Sequence, residues 1–432
     1  MNIDSFKFHL GSKFILEAIK VNDKQVSWKK STSGNEVFYI CPLSLEKKPA
    51  EISIKYSGLI DNEFIVISPD VKWFPEPVGH KVDNYKISIT PASFELSSSI
   101  SRSISDAPEN DYFFEVPSAL NDFAVVLFKN FQAKKIRYND NTVLTVYSKS
   151  VEKSHINEMR TAVESLLGIF MENFGSNYSS KTIKIFMSSD VSGNKILSGV
   201  HGIFSPKVLN NDSGRITDNK DFFKKLSYSY SDNWLKNTPE IEKEGFRNYF
   251  AQIFLERLYG VVESDKVSQQ YKNLLTEAEN GMPYKIPLLL KNISHLIGYE
   301  KFKKVLKNIT INNGYISTAS IIEKIDELYG RNLKWYVQQF MESNDLPEIE
   351  INYSVIQDEN SYKVNFSVFQ HSENVFKVPV DIEIIFENDS EYRIVLIDKK
   401  EMNFNLEFDI KPENIIIDPY KLFLGKMDVK VN

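Results

Sequence analysis

The chain has a single cysteine, Cys41, in 432 residues, so no intrachain disulfide can form and a thiolate-based zinc site is excluded. Histidine is almost as scarce. The six are His9, His80, His155, His201, His295 and His371, and no two stand close enough in sequence to make a local ligand pair. No apolar run approaches the roughly 20 residues that cross a bilayer as a helix. Basic charge is in deficit, with 52 Lys and Arg against 58 Asp and Glu, which argues against a nucleic-acid partner. The phosphate-cradling GxxxxGK, the dinucleotide GxGxxG and the Gly-x-Ser-x-Gly elbow are all missing. The opening MNIDSFKFHLGSKF has no signal-peptide core and starts directly in strand-like alternation. Cytoplasmic placement of a soluble protein, or export with a leader absent from this chain, both stay open.

What the chain does have is aromatic residues, 30 Phe and 21 Tyr, which favour pleated, half-buried surfaces. Its length exceeds one ordinary core, so several domains are expected. Residues 1–140 read as short alternating runs, such as FILEAIKV, EVFYICPL and EISIKYSGLI, broken by turn residues. That spacing predicts an antiparallel β-sandwich, shorter than a complete one. Near residue 150 the period changes. Met159, Val163, Leu166, Leu167 and Phe170 fall at helical spacing, KTIKIFMSS reads as a strand, and five further helices follow to LKWYVQQFMES. Residues 141–345 are therefore expected to be a mixed domain with a helical second half. Pro347 stops the last helix, and alternation returns in 346–432 as a second β-sandwich. The expected fold class is multidomain α+β.

Most histidines have plain structural readings. His9 and His371 sit in strand patterns, His295 in a helix, and His155 near a helix start. His201, in the glycine-flanked SGVHGIF, is the one that could line a cleft. Cys41 reads as a small buried hydrophobe.

Specific residues then carry a family resemblance. ISIKYSG, with Tyr56 and Gly58, resembles a strand ending Tyr-x-Gly, and Trp73 to Pro75 in DVKWFP resembles a Trp-Tyr-Pro element. FMENFGSNYSSKTIKIFMS is similar to a domain-opening helix and strand. Glu244, Gly245 and Phe246 match a Glu-Gly-Phe motif, Pro283 and Tyr284 a Pro-Tyr segment, and LKWYVQQFMESNDLPEIEINYSV a closing helix leading into a sandwich that ends in IIIDPYKLFL. In this order the elements resemble the aminopeptidase N family of zinc metallopeptidases, the gluzincins with a thermolysin-like catalytic domain. The resemblance implies that Glu244 stands where the third zinc ligand stands, and Tyr284 where the oxyanion-stabilising tyrosine stands.

The departures are as specific. The family's His-Glu-x-x-His puts two imidazoles on one helix face with the Glu beside the zinc-bound water. Anchoring on Leu226 and Trp234 places Tyr228, Ser229 and Asp232 at the His, Glu and His positions. Counting back from Glu244 by the family's usual spacing lands on Asp221 to Lys225 instead, and neither alignment restores a histidine. No metal ligand set and no zinc cofactor are therefore expected, and no catalytic residue, with Glu244 and Tyr284 vestigial. The aromatic segment LSYSYSDNW, carrying Tyr228, Ser229, Tyr230, Asp232 and Trp234, is expected to line the old cleft together with His201, or else to be a surface turn with buried aromatics. The expected role is non-catalytic binding of a protein or peptide partner; the alternative is a hydrolase with a rebuilt site.

Overall fold

A computed structural model describes residues 5–12, 14–33, 36–42, 51–58, 64–67, 75–78, 84–91, 94–98, 112–117, 125–137, 142–149, 151–175, 181–188, 195–197, 201–204, 219–232, 234–235, 237–277, 281–311, 315–342, 345–358 and 361–431. Trp73 and Phe74 of the Trp-Tyr-Pro resemblance, His80 and Asn233 lie outside the described residues. The chain is a mixed α+β protein that divides into two compact units, residues 1–160 with 180–222, and residues 161–179 with 223–432. Eight helices are described: α1 (Lys153–Phe174), α2 (Lys220–Ser231), α3 (Glu240–Tyr259), α4 (Val261–Glu277), α5 (Met282–Ile297), α6 (Tyr299–Ile311), α7 (Thr318–Tyr329) and α8 (Lys334–Glu342). Among the described residues no helix is long and apolar enough to cross a membrane.

In the first unit, alternation puts one face of each short strand into a core. Ser5–His9 pairs antiparallel with Glu36–Pro42, and Phe14–Val21 pairs with Ile52–Gly58. Phe6, Phe8, Leu16, Ile19, Tyr39 and Cys41 meet in one buried cluster, so Cys41 is the packed hydrophobe its FYICPL context predicts. A five-stranded sheet follows, ordered Gln132–Arg137, Thr142–Lys149, Lys181–Ser188, His201–Phe204, Lys195–Leu197, with its two central junctions parallel. Burial on both faces explains why Lys181–Ser188 carries the run Ile183, Ile185, Phe186 and Met187, each fully buried.

The second unit is helical until residue 342 and then returns to strands. Two sheets make up residues 348–431. One is ordered Glu401–Phe408, Ser361–Gln370, Glu348–Asp358, Lys426–Val431, and the other Ser390–Ile397, Val378–Ile385, Asn414–Ile417. Strict alternation of buried and half-buried residues along Val378–Ile385 is the period-two signature that the sequence carries.

Two helices escape a periodicity scan, α2 and α4. In α4 the inward stripe is Ser264, Val267, Ser268 and Tyr271, so half of its buried positions are serines. These serines face buried Gln252 of α3, whose Nε2 lies 2.6 Å from Ser268 Oγ and 3.2 Å from Ser264 Oγ. A polar seam of this kind leaves no hydrophobic stripe to detect. In α2 the buried Phe222, Phe223, Leu226 and Tyr230 are correctly spaced, but the intervening serines and tyrosines are weak helix formers.

Candidate functional site

The first half of α3 supplies the centre of the candidate site. Gly245 lets α3 approach α5 closely: a Cβ there would stand 2.6 Å from Ile286 Cβ. The Glu-Gly-Phe sequence thus has a packing reason independent of chemistry. Glu244, Asn248 and Gln252 follow at intervals of four and form a polar stripe beside the apolar one of Phe246, Tyr249, Phe250 and Phe254.

Asn248 is 2% exposed and fully engaged. Its Oδ1 accepts from the Tyr228 hydroxyl of α2 and, at 3.2 Å, from the Tyr271 hydroxyl of α4. Its Nδ2 donates to the Pro283 carbonyl of α5 at 2.9 Å. The last bond follows from the sequence: Pro287 lies inside α5 and has no N–H, so the carbonyl four residues earlier, that of Pro283, is left without its helical partner. Asn248 fills the vacancy. One side chain therefore joins four helices, and the Pro-Tyr segment that carries Tyr284 is held by this bond. Burial, with Tyr271 and Glu244 nearby, pushes the Tyr228 phenol far above its ordinary range. Burial does the same to Tyr271. Both are fixed as neutral donors. The Tyr284 ring lies 6.0 Å from that of Tyr271.

One helical step from Asn248, Arg247 gathers the charged residues. Its Nε and Nη2 reach Asp232 Oδ1 and Oδ2 at 2.6 and 2.9 Å, a two-point fork, and its Nη1 donates to Glu244 Oε2 at 3.2 Å. Arg247 is 25% exposed, Asp232 40% and Glu244 44%. Burial opposes the guanidinium charge, but the bonds to Asp232 and Glu244 outweigh it and hold Arg247 above the usual arginine range.

The other predicted residues are elsewhere. Tyr230 is buried, its ring edge-on to Phe170 at 5.0 Å, and Trp234 stacks on Phe170 and Phe174 at 4.8 and 5.1 Å. Both rings are committed to the core of the second unit. Ser229 is half-buried in α2. His201 opens the strand His201–Phe204 in the first unit, and its side chain is not among those described. Sequence reasoning brought Tyr228, Asp232, Glu244 and Tyr284 into one neighbourhood but missed Arg247, Asn248 and Tyr271. The i, i+3 spacing of Glu244 and Arg247, and the P-x-x-x-P spacing of Pro283 and Pro287, were signals that could have pointed to them.

This structure is similar to the crystal structure of Legionella pneumophila aminopeptidase A in complex with aspartic acid, with a TM-score of 0.65 and 14% sequence identity. The fold is aminopeptidase-like. The match covers 99% of this chain but 55% of that one, so the chain spans about half the length of the protein it resembles. No protein-family model matches the sequence, and no curated protein does.

The residues that the sequence resemblance sets at zinc-ligand positions are held in ways that do not suit a zinc ion. A catalytic zinc takes three deprotonated ligands and an open position. Here Tyr228 keeps its proton and donates it to Asn248, while both carboxylates, Asp232 and Glu244, already face the guanidinium of Arg247. Among the described residues no group of three His, Cys, Asp or Glu side chains could hold a metal.

Proposed function

We propose that this chain is a degenerate member of the aminopeptidase N-like gluzincins, which binds a protein or peptide through the former active-site cleft and does not hydrolyse it there. In this reading residues 1–140 form a β-sandwich, 141–345 the thermolysin-like domain and 346–432 a second sandwich, and zinc is no cofactor. The observation that carries the reading is the Arg247 guanidinium, forked on Asp232 and bonded to Glu244. A metal at these carboxylates would have to displace a buried-stemmed cation already held by three bonds. Without a zinc-bound water the Lewis acid is gone. Without the motif's Glu so is the general base, which alone contributes roughly 10² to 10⁴ in rate.

The hydrolase alternative draws on His201, Glu244 and Tyr284, and among the described residues no hydrogen bond joins Glu244 to Tyr284. The test is elemental analysis of purified protein together with turnover of aminoacyl reporter substrates. Sub-stoichiometric zinc and no turnover are expected, with saturable binding of extended peptides measured by calorimetry. Stoichiometric zinc with chelator-sensitive cleavage would overturn the proposal. Cleavage without metal, lost on Glu244→Gln and Tyr284→Phe, would favour the alternative.

A further inference from the structure

The strand Ser390–Ile397 pairs on one side with Val378–Ile385, and among the described residues no strand pairs with its other side. Such an edge offers a row of unsatisfied backbone groups to any incoming strand. The outer strands of the other sheet carry more charge: Glu401–Phe408 turns Glu401, Asn403, Asn405 and Glu407 outward, and Lys426–Val431 sets Lys426, Asp428 and Lys430 along its length beside exposed Val429 and Val431. Ser390–Ile397 instead exposes Tyr392, Ile394 and Leu396, at 48%, 57% and 37%, on one face. Tyr392 is already ordered there. Its hydroxyl donates to Glu383 Oε1 at 2.5 Å and its ring stacks at 6.1 Å on Tyr420, which is itself 43% exposed.

The sequence of this edge decides what it fits. An antiparallel partner identical to it must pair about a single central residue if the apolar face is to stay on one side of the joined sheet. Centred on Arg393, two guanidiniums stand directly opposite, which is unfavourable. Centred on Ile394, Glu391 faces the buried Ile397. Centred on Tyr392, the two tyrosines face each other, and each Glu391 faces the Arg393 of the other copy, a charge complement made twice. In the single chain Glu391 and Arg393 already bond to each other along the strand, so in the pair this bond can be exchanged across the axis.

We propose that Ser390–Ile397 is a self-association edge, at which a second copy of this chain adds antiparallel about Tyr392 and extends the sheet. This edge shares no residue with the cluster around Arg247. Centred on Tyr392, residues 390–394 of the two copies lie opposite each other, a short ladder, so the association is weak, reversible and concentration-dependent.

Sedimentation over a concentration series tests it, with far-UV circular dichroism to establish that each variant is folded. The intact chain shifts from monomer to dimer as concentration rises. Arg393→Glu, which sets carboxylates opposite carboxylates, abolishes the shift, and the exchange Glu391→Arg with Arg393→Glu restores it. Tyr392→Cys adds a second measurement. Cys41 is buried, so the new thiol at the two-fold axis is the reactive one, and mild oxidation yields a covalent dimer. A chain that stays monomeric at every concentration, or a charge exchange that fails to restore a dimer lost with Arg393→Glu, overturns the proposal.

Discussion

Replacing Arg247 by Met retains most of the buried stem and removes only the guanidinium. Three hydrogen bonds go with it: the fork on Asp232, at 2.6 and 2.9 Å, and the bond to Glu244 at 3.2 Å. Hydrogen bonds to charged groups contribute about 1.5 to 3 kcal/mol when desolvated. Asp232 and Glu244 are 40% and 44% exposed, so water screens and partly re-solvates them once freed, which pulls the figure down. The net loss is about 2 kcal/mol, most of it from Asp232, since the i, i+3 pair with Glu244 is worth roughly 0.3 to 0.5. For a unit of this size that lowers the melting temperature by about 4 to 8 °C. The decisive measurement is a double-mutant cycle of Arg247→Met with Asp232→Asn by chemical denaturation, with an expected coupling of about 1 to 2 kcal/mol. Arg247→Lys recovers only part of the loss, because an ammonium cannot make the two-point fork. A coupling below about 0.5 kcal/mol, the range of an ordinary surface pair, would refute the idea that Arg247 neutralises this cluster.

Two further perturbations test the frame around the site. Gly245→Ala gains about 1 kcal/mol of helix propensity, yet it should destabilise the protein by about 1 to 3 kcal/mol net of that gain, read from denaturant midpoints. The clash is with Ile286 Cβ itself, so no residue but glycine at 286 relieves it. Relative to wild type, Asp418→Asn should be better tolerated at neutral than at acidic pH, although its Nδ2 cannot accept the bond that the Phe423 amide gives to Asp418 Oδ2. Burial holds the Asp418 carboxyl above its ordinary range despite the bonds from the Leu422 and Phe423 amides. Since its folded pKa lies above the unfolded one, its contribution to stability is present when protonated and is lost as pH rises through the folded value. Measured against wild type, the variant should lose ground as pH falls through the folded pKa of Asp418 into the acid range. An equal difference from wild type at neutral and acidic pH would count against this account. Asn also tolerates the left-handed backbone found there, φ 52°.

Much of the element order was legible because single residues report their own periodicity. Met159, Val163, Leu166 and Phe170 announce α1, and the alternation of Val378–Ile385 announces a strand, without any knowledge of a partner. Where inward positions are polar, that signal fails, as at Ser264 and Ser268 of α4. Ser264 and Ser268 are buried against Gln252 Nε2, a pairing between residues distant in sequence. The segment LSYSYSDNW shows the same limit within nine residues. Tyr228 and Asp232 join the polar cluster, while Tyr230 and Trp234 turn into the aromatic core, a division set by helical phase and packing.

The sequence by itself determined that the chain has one cysteine and no local histidine pair, that strands flank a helical stretch, and that Glu244-Gly245-Phe246 lies on a helix. Composition and short-range spacing suffice for each of these. Only the tertiary structure decided that Arg247 reaches back fifteen residues to Asp232, that Asn248 takes the carbonyl which Pro287 leaves unpaired, and that Glu244 faces a guanidinium. Those contacts depend on how four helices converge, and convergence is fixed by close packing at positions such as Gly245, which no local pattern of residues records.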